Sequence, residues 1–194
     1  LFGGESGEQK NLNAVRKGST VDHSREAVRI DKKVGLRVSM PFIFGIPGQT
    51  YEDGLKTIDF AIELDPDLAN FHAVTAFPGT ELYENHAKYG TISSDLQDYT
   101  YQGAAFVPYT MAREQIHELR QLAFRRFYSR PAFLLRQLLR MRNLNDLHAA
   151  VFGVRSLFWL WVRRGLFRRH PHPVAPVPAA AAATPARAPG SSAG

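Results

Sequence analysis

The stretch Phe42–Asp53, "FIFGIPGQTYED", decides how the fold is read. Three bulky apolar residues run into Gly45-Ile46-Pro47-Gly48, and Thr50 and Asp53 then stand three apart at the head of a helix-periodic run. An apolar run stopped by glycine and proline reads as a buried strand. Thr-x-x-Asp approximates a capping box, with each side chain placed to bond the other residue's backbone N–H. A strand that feeds a helix through a glycine-rich turn is one unit of a parallel α/β sheet.

The same unit recurs on both sides. "LFGG" at the start reads as the end of a strand, and "SREAVRIDKKVG" (24–35) as a helix with Ala27, Ile30 and Val34 on one face and Gly35 as the stop. "LRVSMPFIFGI" (36–46) is strand-like. Proline cannot donate to a ladder, so Pro41 predicts either a bulge or a strand that begins near Phe42. "TYEDGLKTIDFAIELD" (50–65) is a helix with Leu55, Ile58, Ala61 and Ile62 as its buried stripe. "LANFHAVTAF" (68–77) is the third strand, and "GTELYENHAKYG" (79–90) a short helix closed by Gly90. Residues 91–110 read as an irregular connection. From Met111 the pattern is helical, with Ile116, Leu119, Ala123 and Phe127 on one face, until Pro131 breaks it. A second helix follows over "AFLLRQLLRMR", and a third spans about 144–164. After His170 the Pro/Ala-rich sequence has no core-forming pattern and is expected to be disordered.

The expected fold is therefore α/β: a partial TIM-like (β/α) barrel with parallel strands, then an α-helical extension and a disordered tail. The expected divisions are 1–90, 91–169 and 170–194. The chain opens on Leu1 inside what reads as a strand, which suggests a C-terminal piece of a longer protein.

Composition narrows the chemistry. The 194 residues contain no cysteine, so no disulfide and no thiolate-held metal or cluster can form from them alone. Residues 1–110 hold 10 Lys/Arg and 15 Asp/Glu, whereas residues 111–194 hold 14 arginines, no lysine and 3 acids. Such a split suggests either two physical roles or a plain bias of surface charge.

All three strands end in a Gly or Pro-Gly turn: "FGGESG" (2–7), "FGIPGQT" (44–50) and "FPGTEL" (77–82). Parallel sheets bind ligands beyond the carboxyl ends of their strands, so three polar turns at one end make a candidate site. A phosphate-loop reading of "GIPGQT" fails, because the Gly-Lys-Ser/Thr ending is missing and the next lysine is Lys56.

The three turns, in this order and spacing, resemble those of the radical S-adenosylmethionine (SAM) enzymes, in particular the branch with an upstream cobalamin-binding domain. The resemblance covers roughly residues 1–165, including "RRFYSRPAFLLRQL", which is similar to the helical extension of that branch. It implies that Phe44, Gly45, Ile46, Pro47 and Gln49 pack against and read the adenine of SAM. Phe77 and Pro78 would wall the same pocket, and Glu5 and Ser6 would serve the ribose or the methionine amino group. Gln49 stands where many relatives have Glu. The resemblance also implies a [4Fe-4S] cluster and cobalamin as cofactors of the parent protein, held by segments outside this chain. The reaction it implies is radical methylation or cyclisation of a lipid-like or tetrapyrrole small molecule. The expected partners are those upstream segments. A basic nucleic-acid-binding module is the alternative, and nucleic acid is the less favoured partner. His72 reads as a core or rim histidine, Lys17 and Arg25 as helix-surface cations that could reach a carboxylate. The expected location is cytoplasmic. "SLFWLWVRR" (156–164), with Trp159 and Trp161 beside clustered arginine, suits either helix packing or the anionic inner face of a membrane.

Overall fold

Two strands form where large apolar side chains alternate with smaller or polar ones. β1 (Ser39–Phe44) and β2 (Leu68–Ala73) pair in parallel, with Phe42 opposite Phe71 and Ile43 opposite His72. A computed structural model describes residues 1–100 and 103–139. Residues 1–5 run beside β1 on the side away from β2. Phe2 N–H donates to Ser39 C=O, Gly4 and Glu5 both donate to Pro41 C=O, and Ile43 N–H donates to Glu5 C=O. Neither alternative expected at Pro41 holds for β1 itself, which neither bulges there nor waits until Phe42 to begin. Pro41 supplies no N–H, its carbonyl takes two donors, and residues 1–5 keep a single parallel bridge, Glu5 to Phe42, while β1 runs straight through the proline.

The sheet has two unlike faces. Met40, Phe42 and Phe44 in β1, and Ala69, Phe71 and Ala73 in β2, are buried; Ser39, Pro41, Ile43, Asn70 and His72 are half-buried. The buried face packs under α3 (Tyr51–Leu64) and α5 (Arg113–Tyr128). Phe71 stacks between Phe42 at 5.7 Å and Phe44 at 6.2 Å, and meets Phe127 edge-on at 6.0 Å. Burying each such ring contributes about 1.5–3 kcal/mol. Residues on either side of position 90 share this one core. The described residues form an open, one-sided α/β layer and do not close into a barrel.

Capping chemistry places the helices. Thr50 and Asp53 form the expected box at the head of α3, and Thr20 does the same for α2 (Val21–Lys33) with His23. The buried face of α2 differs from expectation: Ser24 and Val28 point inward, while Ile30 and Val34 are 47% and 64% exposed. The stripe of α3 also shifts, to Gly54, Thr57, Ile58, Phe60, Ala61 and Leu64, with Leu55 and Ile62 only half-buried, because the helix packs against α5 as well as the sheet. α5 buries the four residues expected of it. Pro131 does not merely end α5; it opens α6 (Pro131–Leu139), since proline suits a first helical turn.

Three short elements escaped the sequence pattern: α1 (Gln9–Ala14), and β3 (Gly90–Ile92) paired antiparallel with β4 (Phe106–Pro108) around the 91–110 connection. The helix expected over 79–90 shortens to α4 (Glu81–Glu84). The helix expected at 144–164, the tail and both tryptophans lie outside the described residues. No described helix is long and apolar enough to cross a membrane.

Among the described residues, part of the charge split is internal complementarity. Arg113 pairs with Asp98 at 2.7 Å, Arg126 with Asp59 at 2.7 Å, and Arg130 and Arg136 both with Asp65. The arginine-rich second part is stitched to the acidic first part at these positions.

Candidate functional site

Each of the three motif turns follows the carboxyl end of a parallel segment: residues 1–5, β1 and β2. The middle turn is locked by its own glutamine. Gln49 is fully buried; its side-chain oxygen accepts from Gly45 N–H at 2.7 Å, and its backbone N–H donates to Ile46 C=O at 2.9 Å. Thr110, arriving from β4, donates its hydroxyl to Gln49 C=O at 2.5 Å. Gln49 therefore holds the turn through its amide oxygen, a role that glutamate at this position would also fill. Its Nε2 is buried with no bonded partner, a donor with unmet capacity.

The two glycines of this turn differ. Gly45 and Gly48 have φ of 85° and 78°, a left-handed backbone that side chains resist. A Cβ on Gly45 would lie 3.1 Å from Ile116 Cδ1, so the close approach made at Gly45 is by α5 of the same chain. A Cβ on Gly48 would meet nothing within 4 Å, so that backbone faces open space. Phe44 and Ile46 are fully buried, and Pro47 is half-buried at the surface of the turn. Of the adenine-reading set, Pro47 is the part within reach from outside, next to the open backbone of Gly48.

The first turn divides its two polar residues. Ser6 is fully buried: its hydroxyl lies 3.1 Å from Thr57 Oγ1 and accepts from Glu8 N–H at 3.2 Å and Asn11 Nδ2 at 3.1 Å. That hydroxyl joins the turn to α1 and α3. Glu5 is the opposite case. It holds a left-handed φ of 52° without being glycine, which costs about 1 kcal/mol or more. A Cβ on Gly4 would strike the Phe42 ring at 2.8 Å, whereas one on Gly3 would strike the Glu5 carboxylate and Lys17 Nζ. Glu5 thus turns its acid away from the core face, onto the half-buried face that carries Ile43 and His72. Glu5 Oε1 pairs with Lys17 Nζ at 2.8 Å, and Oε2 is buried without a partner.

The third turn is the most open. Phe77 is 51% exposed, its ring 6.4 Å from that of Tyr99, and Pro78 is exposed beside it. Thr80 caps α4, whose Glu81 forms a two-pronged pair with Arg16 at 2.8 and 2.9 Å, joining the segment after α1 to the turn after β2. The sequence missed Thr110, Ile116 and Tyr99, because none lies in a motif and each reaches the site only through tertiary packing. Arg25 belongs elsewhere: it grips Glu63 and Asp22 on the helical layer. Beneath the middle turn, Asp53 is pushed up by burial, but its bonds with Lys10 and Thr50 outweigh this and keep it below its usual range. A cavity of about 520 Å³ lies at the opposite, amino end of the strands, lined by Arg37, Asp67, Tyr128 and Phe133 among others, remote from all three turns.

The arrangement fits part of a SAM site and does not fit a cluster site. Two unsatisfied buried polar atoms, Glu5 Oε2 and Gln49 Nε2, belong to motif residues, and two other motif positions, the backbone of Gly48 and the ring of Phe77, are open to the outside. For iron and sulfide the chain offers no thiolate, and no group of three metal-ligating side chains occurs among the described residues.

No family model matches the chain. Its homologues are proteins of methyltransferase, magnesium-protoporphyrin cyclase and methylthiotransferase type, all members of the radical SAM family. In particular, it is 36% identical over 138 residues to an uncharacterized methyltransferase of Pyrococcus horikoshii, covering 71% of this chain and 30% of that protein. It is 26% identical over 133 residues to the anaerobic magnesium-protoporphyrin IX monomethyl ester cyclase of Rubrivivax gelatinosus, covering 69% and 24%. A tRNA-2-methylthio-N(6)-dimethylallyladenosine synthase of Pseudoalteromonas atlantica is 33% identical over 78 residues, covering 39% and 16%. The chain thus spans less than a third of the length of each of these relatives.

Proposed function

We propose that this chain belongs to the radical SAM family and supplies the adenine-and-ribose side of a SAM site. In this reading it is the C-terminal part of a methyltransferase- or cyclase-like enzyme. The observation that carries the reading is that the three motif turns follow the carboxyl ends of neighbouring parallel segments, with unsatisfied buried polar atoms on Glu5 and Gln49. The radical SAM relatives imply SAM and a [4Fe-4S] cluster. SAM suits the residues present; the cluster requires thiolates from another segment, joined to this one or associated with it. The reading does not include cobalamin. Its substrate is a small molecule, lipid-like or tetrapyrrole-like, lying over the half-buried sheet face that carries Glu5, Ile43 and His72. In this reading Phe77 and Gly48 are the accessible contacts for adenine, Glu5 is the acceptor for a ribose hydroxyl or ammonium group, and Gln49 sets the turn.

The test is amide NMR of the full chain with SAM added to about 1 mM, a concentration that reports even weak partial-site binding. The expected result is a shift of the Glu5, Gly48, Gln49 and Phe77 amides, reduced in Phe77→Ala, a variant that removes an exposed ring and leaves the core intact. A SAM titration that moves none of these amides in the folded protein overturns the assignment.

A further inference from the structure

The sheet has two edges, and they are built differently. In β2 the even-numbered residues face β1: Leu68 N–H donates to Val38 C=O and Val74 N–H to Phe44 C=O. Alternation then turns the backbone groups of Ala69 and Phe71 outward, along the edge where a further strand would pair. Three of those four groups, both of Ala69 and the carbonyl of Phe71, are occupied by side chains of α5. The Tyr128 hydroxyl accepts from Ala69 N–H at 3.1 Å and donates to Ala69 C=O at 2.7 Å, taking both positions of one residue. Arg120, two helical turns earlier, donates Nε to Phe71 C=O at 3.1 Å.

Neither side chain is there by chance of packing. The Tyr128 ring is held among Phe124 at 4.6 Å, Phe127 at 4.9 Å and Phe133 at 5.2 Å, so its hydroxyl is fixed in direction. Arg120 is half-buried, and that burial lowers its pKa; a guanidinium partly withdrawn from water needs acceptors. Residues 1–5, along the opposite edge, lie beside β1 with no further strand paired to them among the described residues.

We infer that β2 is a sealed edge: Tyr128 and Arg120 of α5 stand in for a neighbouring strand, and the partner they exclude is a β-strand of a second copy of this chain. An exposed strand edge is a template for pairing, and natural proteins block it by covering it. Here a helix does so with two side chains spaced eight residues apart. The sheet then accepts another strand on the side of residues 1–5 and refuses one at β2. This inference stands whether or not SAM binds.

The test is Tyr128→Phe combined with Arg120→Met in the full chain, with circular dichroism confirming the fold. Sedimentation velocity should show self-association that rises with concentration beyond that of the unaltered chain. Hydrogen exchange should show the Ala69 amide about tenfold faster at low concentration and re-protected at high concentration, as a second copy's strand replaces the lost partners. A folded double variant that sediments like the unaltered chain at every concentration overturns the inference. If the double variant does not fold, Tyr128→Phe alone retains the ring packing and decides. Acceleration at Ala69 together with new self-association supports the block, and unchanged exchange or unchanged mass refutes it.

Discussion

Gln49 and Gly54 show what single residues do here. Gln49→Leu keeps the volume but removes the acceptor for Gly45 N–H, leaving a buried donor unpaired. The expected cost is about 2 kcal/mol, read as a lowered urea midpoint with unchanged slope. Gly54 sits inside α3, where alanine normally stabilises by about 1 kcal/mol. A Cβ there would lie 2.4 Å from Leu119 Cδ1 of α5, so Gly54→Ala is expected to destabilise by about 1–3 kcal/mol, measurable in the same experiment. The glycines of the motif turn were legible as positions where something comes close. That the visitor at Gly45 is Ile116, far along the chain and without motif signature, was not. Gly54 gave no signal at all, because its reason is a neighbour rather than a conformation. Glu5 was legible as a polar turn residue, but the opposed fates of Glu5 and Ser6 depend on which way a bulged segment turns beside Pro41.

At the scale of elements, the α3 C-terminus is the most charge-dependent joint. Asp65 closes α3 with a left-handed φ of 48° and gathers Arg130, Arg136 and Lys32. Burial alone would raise its pKa; the Arg136 bond and the charges of Arg130, Arg136 and Lys32 outweigh that and hold it below the usual carboxylate range. A pKa lowered in the folded state means stability that is present above the unfolded pKa and lost as pH falls through the folded one. Asp65→Asn, which suits the same backbone, should therefore cost about 1–2 kcal/mol at pH 7. The difference in melting temperature between the two proteins should shrink on acidification below about pH 4. A gap that persists at low pH would show that the carboxylate's charge is not what matters. The main strands and helices were legible because periodicity and caps agreed over six residues or more. β3 and β4 were not, since three residues carry no period, and the face of α2 was misjudged because its flank holds apolar residues that the fold leaves in water.

For the whole molecule, the absence of cysteine carries a direct expectation. Anaerobic reconstitution with iron and sulfide should leave this chain without a stoichiometric visible charge-transfer spectrum. A stable cluster at one per chain would mean that other ligands suffice. The opposed charges of the two parts were plain in the sequence, but their meaning was not. Composition cannot distinguish a basic surface offered to a partner from one already paired at Asp59, Asp65 and Asp98, and the geometry decides for pairing at those positions.

The irregular join at Pro41 also sets how the molecule responds to force. Four backbone bonds tie residues 1–5 to β1, and two of them share one carbonyl. A pull applied at Leu1 and resisted at Leu139 would load that join before the Phe42–Phe71 stack bears tension. In a single-molecule trap the first event should be a short rip of about 18 Å, the extended length of five residues, before the main unfolding step. The next point to take the load would be the buried knot of Ser6, Asn11 and Thr57, where the peeled segment is anchored to the two helices beneath it.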